Sequence, residues 1–428
     1  MLAIHAPALA AGNDHPARAI RAQSDLPPTR FKLTEKPSLA FSRPAFVVDT
    51  IPALRAEAER LLATYRIEDP TIAQKLRAEL AAIAILQNRP ADADRLIAAQ
   101  RAAEVKPQLQ RLGLLLLDIA AAKAQGGAQG CAAASKRLSS RLSGSDPAMV
   151  RDEAVARYSD VQTASVPYYA GAAAFVVDDQ AQTVGAIDVL QGLYMARWRV
   201  IAEQIPSCRV ELGAVFRAWL DAPANRTIDI WPSREPDPGA LAKAKPVVVA
   251  VWESGFDPSL FPDQLAIDPA EPLDGRDNDG NGVVDDVNGP TYDAHLRPAS
   301  DRLPRLSSFL AGRLGLQMAI EKGQMDLNFG EDTADARFFA AGAREASGAE
   351  QVEDVLGSAE FLARTHGTWV ASVIADGAPF VRLYSVVAYR RRLTPSRFRS
   401  PRMTFAAMPR SCRPWRPGCA ARACGSST

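Results

Sequence analysis

KPVVVAVWESGFDPSLFP, residues 245–262, is the stretch from which the fold is read. Val247 to Trp252 form an unbroken apolar run, bounded by Pro246 on one side and by Glu253-Ser254-Gly255 on the other. A run of that length with no polar alternation predicts a strand buried on both faces, as in a parallel sheet. A carboxylate at the end of such a strand, followed by a small residue and a glycine, stands where α/β enzymes carry functional groups. An acidic residue in an ordinary strand-to-loop turn would read the same way.

A second stretch, residues 365–376, reads THGTWVASVIAD. It predicts a helix opened by His366 and running through Val370, Val373 and Ile374. Gly367 allows close approach of neighbouring backbone, and Thr368 can satisfy free N–H groups at the helix start. Together the two stretches resemble the acid and histidine segments of the subtilisin-like serine proteases, an apolar strand ending in D-[ST]-G-x-D and then HGTxVA, in that order. The resemblance covers roughly residues 245–389. It implies an α/β fold, a partial subtilisin-like parallel sheet with flanking helices. It also implies descent from serine-type endopeptidases that hydrolyse protein or peptide substrates. His366 then stands at the general base and Glu253 at the carboxylate that orients it.

The chain departs from that pattern twice. The family's aspartate position holds Glu253, whose extra methylene moves the carboxylate by about 1.5 Å, in a site where about 1 Å can cost ~10²-fold in rate. A GTSxA-type motif bearing the nucleophilic serine occurs nowhere in the 428 residues, nor does an asparagine segment suited to an oxyanion hole. Ser254 alternates away from Glu253 in an extended chain, and Ser372 lies too far along the helix of His366. The expectation is a protein inactive, or nearly so, as a peptidase. The alternative is non-catalytic, a helical interaction module joined to a degenerate protease fragment.

Between the two motifs lies LDGRDNDGNGVVDDVNG, residues 273–289. Asp277, Asp279 and Asn281 alternate before Gly282, and Asp285 follows. Oxygen ligands at the first, third and fifth positions before a glycine turn match the start of a calcium loop. The twelfth position is Asn288 rather than a bidentate glutamate. Several subtilisin-like proteins are similar here, so structural calcium is the candidate metal, and no other cofactor is required. A solvated acidic turn is the competing reading.

The rest of the chain places this region. Residues 1–45 read as a flexible lead-in, with Ala8-Leu9-Ala10 resembling the end of a signal region. Residues 46–222 read as a mainly helical accessory or pro-region. Its helices end near Tyr65, start behind Asp69-Pro70, cover 91–105, and run through Leu109 to Ala120. Residues 127–147 read as a loop, Phe175 to Asp178 as a short strand, and Ala186 to Ile205 as a helix. Residues 223–244, with Pro223, Pro232, Pro236 and Pro238, read as a linker. Within 245–389, helices are expected over Leu306–Glu321, Asp332–Ser347 and Gln351–Ala363, and a strand over Val381–Val387. Anchors are Leu310, Leu314 and Ile320, then Phe338 and Phe339.

The tail 390–428 carries ten arginines and no acidic residue. It reads as an aberrant Arg/Pro/Cys-rich segment, as from translation in a shifted frame. A formal net charge of +1 gives no argument for nucleic acid, and no stretch is long and apolar enough to span a membrane. Cys131 and Cys208 could pair. A secreted or periplasmic location follows from the protease resemblance alone.

Overall fold

The computed structural model describes residues 18–178, 186–226, 230, 233–234, 237–241, 243–293, 296–299, 303, 306–346 and 348–388. The chain is of mixed α/β class, mostly helical with small parallel sheets. It divides into two compact units, one reaching to Arg157 and resuming over Ala164–Trp219, the other made of Tyr158–Thr163 and the chain from Leu220 onward. The signal-like Ala8-Leu9-Ala10 and the arginine-rich tail lie outside the described residues.

In the first unit, β1 (Ala19–Ile20), β2 (Arg30–Lys32) and α1 (Pro37–Ser42) precede α2 (Ile51–Thr64), β3 (Arg66–Ile67), α3 (Pro70–Leu86) and α4 (Pro90–Ala103). Then come α5 (Pro107–Leu112), α6 (Leu115–Gln125), α7 (Gly130–Leu142), α8 (Pro147–Thr163, its end from Tyr158 belonging to the second unit), α9 (Val166–Ala173), β4 (Ala186–Asp188), α10 (Val189–Gln204) and α11 (Arg209–Leu220, the second unit resuming at its last residue). Proline opens α3, α4 and α5, where its missing N–H costs nothing and its fixed φ suits the helix. Asp69 caps α3 by accepting from the Thr71 N–H at 2.8 Å. Alanines dominate the contact of α3, α4 and α6, with Ala81, Ala82, Ala93, Ala120 and Ala121 fully buried around Ile97 and Leu117. Small side chains let these helix backbones approach closely.

Several local expectations differ from the fold. Residues 19–42 are not a flexible lead-in: β1 pairs with β3, β2 pairs with β4, and Ile20 and Phe41 are fully buried. The glycine- and serine-rich segment after Gly127 is helical as α7, because Ala134, Leu138 and Leu142 recur every fourth residue and are buried. Residues 174–178 form a π-helical turn continuing α9 rather than a strand. The single helix expected through Leu109 breaks into α5 and α6 at Leu114, which takes a left-handed φ of 58°.

Buried charge and a covalent link hold this unit together. Asp118 is 1% exposed and accepts from Arg101 Nη1 at 2.7 Å, from Arg141 Nε at 2.8 Å and from Arg137. Burial alone would raise its carboxyl, but the arginines outweigh that and hold it below the ordinary aspartate value. Cys131 and Cys208, 77 residues apart, form a disulfide. Closing a loop of that length restricts the unfolded chain by about 4 kcal/mol in the chain-entropy account.

The second unit is built on a three-stranded parallel sheet of order β5 (Val247–Glu253), β7 (Val381–Ala388), β6 (Thr291–Tyr292). Register runs from Val247 opposite Val381 to Glu253 opposite Val387. Between β6 and β7 lie α12 (Ser308–Ala311), α13 (Leu314–Asn328), α14 (Ala334–Glu345) and α15 (Gly348–Ala375). Val251, Phe256, Phe261, Leu383 and Val387 pack with Ala371 of α15 into one core.

β5 is not buried on both faces. Val251 is 3% exposed, but Val248 and Trp252 are 63% and 69% exposed. The α15 side is covered, while among the described residues nothing pairs with the other edge of β5. Leu310 and Ile320 are buried as expected, but Leu314 is exposed at the head of α13. On α14 it is Ala336, Ala340 and Ala343 that are buried, with Phe338 and Phe339 only half so.

Asp354 on α15 is raised to about 6, chiefly by burial and further by Glu353 and Glu350, against the pull of Arg313. Its folded pKa exceeds the unfolded one, so its protonation favours the folded state as pH falls through 6. Asp354→Asn should therefore stabilise the protein at pH 7 by on the order of 1–2 kcal/mol after allowance for partial solvent access. That gain should vanish by pH 4, as read from urea unfolding at the two pH values.

Candidate active site

Glu253 is the last residue of β5, and His366 lies in the interior of α15 rather than at a helix start. The Nδ1 of His366 and the Oε2 of Glu253 are 2.8 Å apart. Both side chains are partly open to solvent, at 46% and 35% exposure, so a substrate can reach the pair. The extra methylene of glutamate is accommodated, because the carboxylate meets the ring at hydrogen-bond distance.

Two glycines make this approach possible. Gly255 turns the chain with φ +62°, and a Cβ there would sit 2.3 Å from the carbonyl of Arg364. A Cβ on Gly367 would meet the Ser254 carbonyl oxygen at 3.0 Å and Glu253 Cβ at 3.1 Å. With no side chain on either, the N–H groups of Gly367 and Thr368 donate to the carbonyls of Ser254 and Gly255 at 2.8 and 3.1 Å. Thr368 does not cap a helix start. Its Oγ1 accepts from the Asp257 N–H at 3.0 Å and so ties α15 to the loop after β5. That second staple was not foreseen from the sequence, although a threonine two residues after the histidine is its visible signal.

The serines stay apart from the pair. Ser372 Oγ donates to the Trp369 carbonyl at 2.8 Å, within its own helix. Among the described residues no hydroxyl hydrogen-bonds to His366. Asp257 accepts from the N–H and Oγ of Ser259 at 3.0 and 2.6 Å, capping a short turn over Pro258–Leu260. The arrangement is a carboxylate holding one nitrogen of an imidazole, with the other ring nitrogen left to accept a proton.

The acidic loop divides the four expected ligands. Asp277 and Asp279 come together with Glu271, one oxygen of each lying within 4.8 Å of the others. Asn281 does not join them through its oxygen: Oδ1 accepts from the Val283 N–H, while Nδ2 donates to Asp279 and Asp286 at 2.9 and 3.0 Å. Asp285 is also turned away, its Oδ1 accepting from the N–H groups of Asp274 and Gly275 at 2.9 Å each. Asp286 is buried nearby, 3% exposed, its Oδ2 accepting from Asn281 Nδ2 and its Oδ1 lacking any protein partner, but it is not one of the three converging carboxylates. Burial, then the charges of Asp279 and Glu271, push the Asp286 carboxyl up. Three carboxylates whose oxygens converge in this way suit a hard cation. Glu271 escaped the sequence reading because it precedes the alternating motif.

Glu253 should fix the neutral imidazole as the Nδ1–H tautomer. Nitrogen-15 NMR at pH 8 should find His366 protonated at Nδ1. Glu253→Ala should move the proton toward Nε2, and an unchanged pattern would show that the carboxylate does not orient the ring. Comparison with protein-family models, curated proteins and solved structures found no match.

Proposed function

We propose that the second unit is a subtilisin-like serine endopeptidase unit by descent, and that it holds the acid–histidine half of a peptide-hydrolysing site. The observation that carries this is the 2.8 Å contact between Glu253 and His366, made by two motifs in the family's order. In such a site the Nε2 of His366 removes the proton of an attacking hydroxyl. Glu253 holds the tautomer and stabilises the imidazolium that forms. The substrate is a protein or peptide. Without a GTSxA-type segment the 428-residue sequence supplies no attacking serine beside this base, so hydrolysis by it stays near background. Glu271, Asp277 and Asp279 would hold a calcium ion that neutralises the loop's crowded carboxylates. The disulfide of the first unit supports a secreted or periplasmic location.

The purified chain should neither react with a fluorophosphonate probe nor digest unfolded casein above background. A form read in the alternative frame beyond codon 389, if it brings in a GTSxA-like motif, should digest casein. There, His366→Ala should abolish turnover and Glu253→Ala should lower it by on the order of 10²–10⁴ through loss of the tautomer. Digestion by the 428-residue chain at an ordinary enzyme rate, undiminished in H366A, would sink the proposal.

Millimolar calcium should raise the melting temperature of the second unit, and a chelator should reverse it. Asp277→Ala with Asp279→Ala, or Glu271→Gln alone, should remove the gain. No shift in folded protein would rule the ion out.

A further inference from the structure

We infer that β5 is a self-association edge, on which a second copy of this chain pairs its own β5 antiparallel about Ala250. The sheet has the order β5-β7-β6, so β5 is an edge strand. The far side of β7 is occupied, with the N–H groups of Leu383, Ser385 and Val387 donating to the carbonyls of Gln264, Asn288 and Pro290. The open edge of the sheet is therefore that of β5.

The main chain of β5 shows which groups are free. The Val247 N–H donates to the Phe380 carbonyl at 3.0 Å, on the β7 side. Along a strand every second residue turns its N–H and C=O to the same neighbour. Val249, Val251 and Glu253 therefore follow Val247 toward β7, opposite Leu383, Ser385 and Val387. Val248, Ala250 and Trp252 turn theirs outward, where nothing meets them among the described residues. Their side chains are exposed too, on the face away from the core that Val249 and Val251 share with α15. Native edge strands are usually blunted by a lysine, a proline or a bulge. Val247–Trp252 has none of these: it carries no charge and no proline, and its register with β7 is unbroken.

The strand's own pattern selects a second copy as the occupant. Reversal about Ala250 sets Val248 opposite Trp252 of the second copy and Ala250 opposite its counterpart. Every outward main-chain group then meets an outward group, for about six hydrogen bonds. The same register gives a β-branched side chain an aromatic cross-strand neighbour. The ends match in charge as well. Lys243 and Lys245, both exposed, precede the strand, and Glu253 and Asp257 follow it. Antiparallel pairing brings the basic end of each strand to the acidic end of the other, whereas a parallel mate would set like ends together. Pairing consumes the open β5 edge of both copies, so the assembly closes at two.

The test is sedimentation equilibrium of the full chain from about 1 to about 100 μM, the range suited to so small an interface. A monomer–dimer equilibrium with a micromolar dissociation constant is expected. Ala250→Pro removes the central outward N–H, and Val248→Lys puts a charge on the edge. Neither touches the bonds to β7, and each should weaken the dimer about tenfold or more. V248K carries the test if A250P fails to fold by circular dichroism. Lys243→Glu with Lys245→Glu should weaken the dimer as well. Register is read by cross-linking in a chain with Cys412, Cys419 and Cys424 changed to serine. There Ala250→Cys should form an intermolecular disulfide in oxidised glutathione, because facing residues of a hydrogen-bonded antiparallel pair stand about 5.5 Å apart at Cα. Val248→Cys should not. A chain that stays monomeric at about 100 μM would overturn the inference. So would a dimer undiminished in folded A250P and V248K, cross-linking through V248C as readily as through A250C, or open-ended assembly beyond the dimer.

Discussion

The second unit depends on a backbone contact more than on any side chain. The carbonyls of Ser254 and Gly255 take the N–H groups of Gly367 and Thr368, and this brings the end of β5 against the middle of α15. Everything chemical about the site follows from that contact. Glu253 immediately precedes the accepting carbonyls and His366 immediately precedes the donating N–H groups, so main-chain hydrogen bonds set the separation of the two side chains. Direct backbone contact of this kind needs glycine at 255, where a methyl group would meet the Arg364 backbone at 2.3 Å, while one at 367 would meet its neighbours at 3.0–3.1 Å and press the strand and helix apart by only a few tenths of an ångström. The dyad therefore accommodates glutamate for aspartate more readily than it would accommodate alanine at Gly255.

The first unit solves a different problem. Its helices approach closely through alanine faces, which leaves little apolar volume per residue, and arginines and acids fill part of the interior. Asp118 gathers three arginines, and Glu79 pairs with Arg197 while burial pushes its carboxyl up. Breaking such pairs is far more costly than forming them is favourable, so these groups fix which helix faces meet as well as how tightly they hold. The acidic loop of the second unit shows the same economy on a smaller scale. Its carboxylates accept from the N–H groups of Asn278, Gly280, Asn281 and Gly282, which stand in for absent secondary structure.

Sequence reading served best where one residue type has one physical use. Pro70 behind Asp69, the strand over Val381–Ala388 and the meeting of Glu253 with His366 were all legible, because capping, alternation and motif order each point one way. It failed where composition and position disagree. The stretch after Gly127 looks like a loop by its glycine and serine content, yet the fourfold spacing of Ala134, Leu138 and Leu142 decides it. The apolar run Val247–Trp252 announces a strand but cannot say how many layers cover it. His366 was expected to open a helix with Thr368 as its cap, but it lies inside α15 and Thr368 ties that helix to the loop after β5, while the close backbone approach expected at Gly367 is found. Asn281 and Asp285 match a ligand spacing, but the carboxylate that joins Asp277 and Asp279 is Glu271, which is buried and precedes the motif, and spacing does not encode that.

The pairing of β5 with β7 carries a consequence for how the site comes into being. Glu253 and His366 are 113 residues apart in sequence, and parallel strands cannot be joined by a short hairpin. The entropy of closing so long a loop must be spent before any contact across it rewards the chain, which makes such pairings slow. The carboxylate-to-N–H bonds inside the acidic loop, such as Glu271 to Asp285, span fourteen residues at most and carry a much smaller closure cost. Loop-closure entropy therefore predicts that the dyad assembles late in folding, when the end of β5 and α15 meet. On that expectation a nascent or partly unfolded chain would hold Glu253 and His366 apart and carry no paired base.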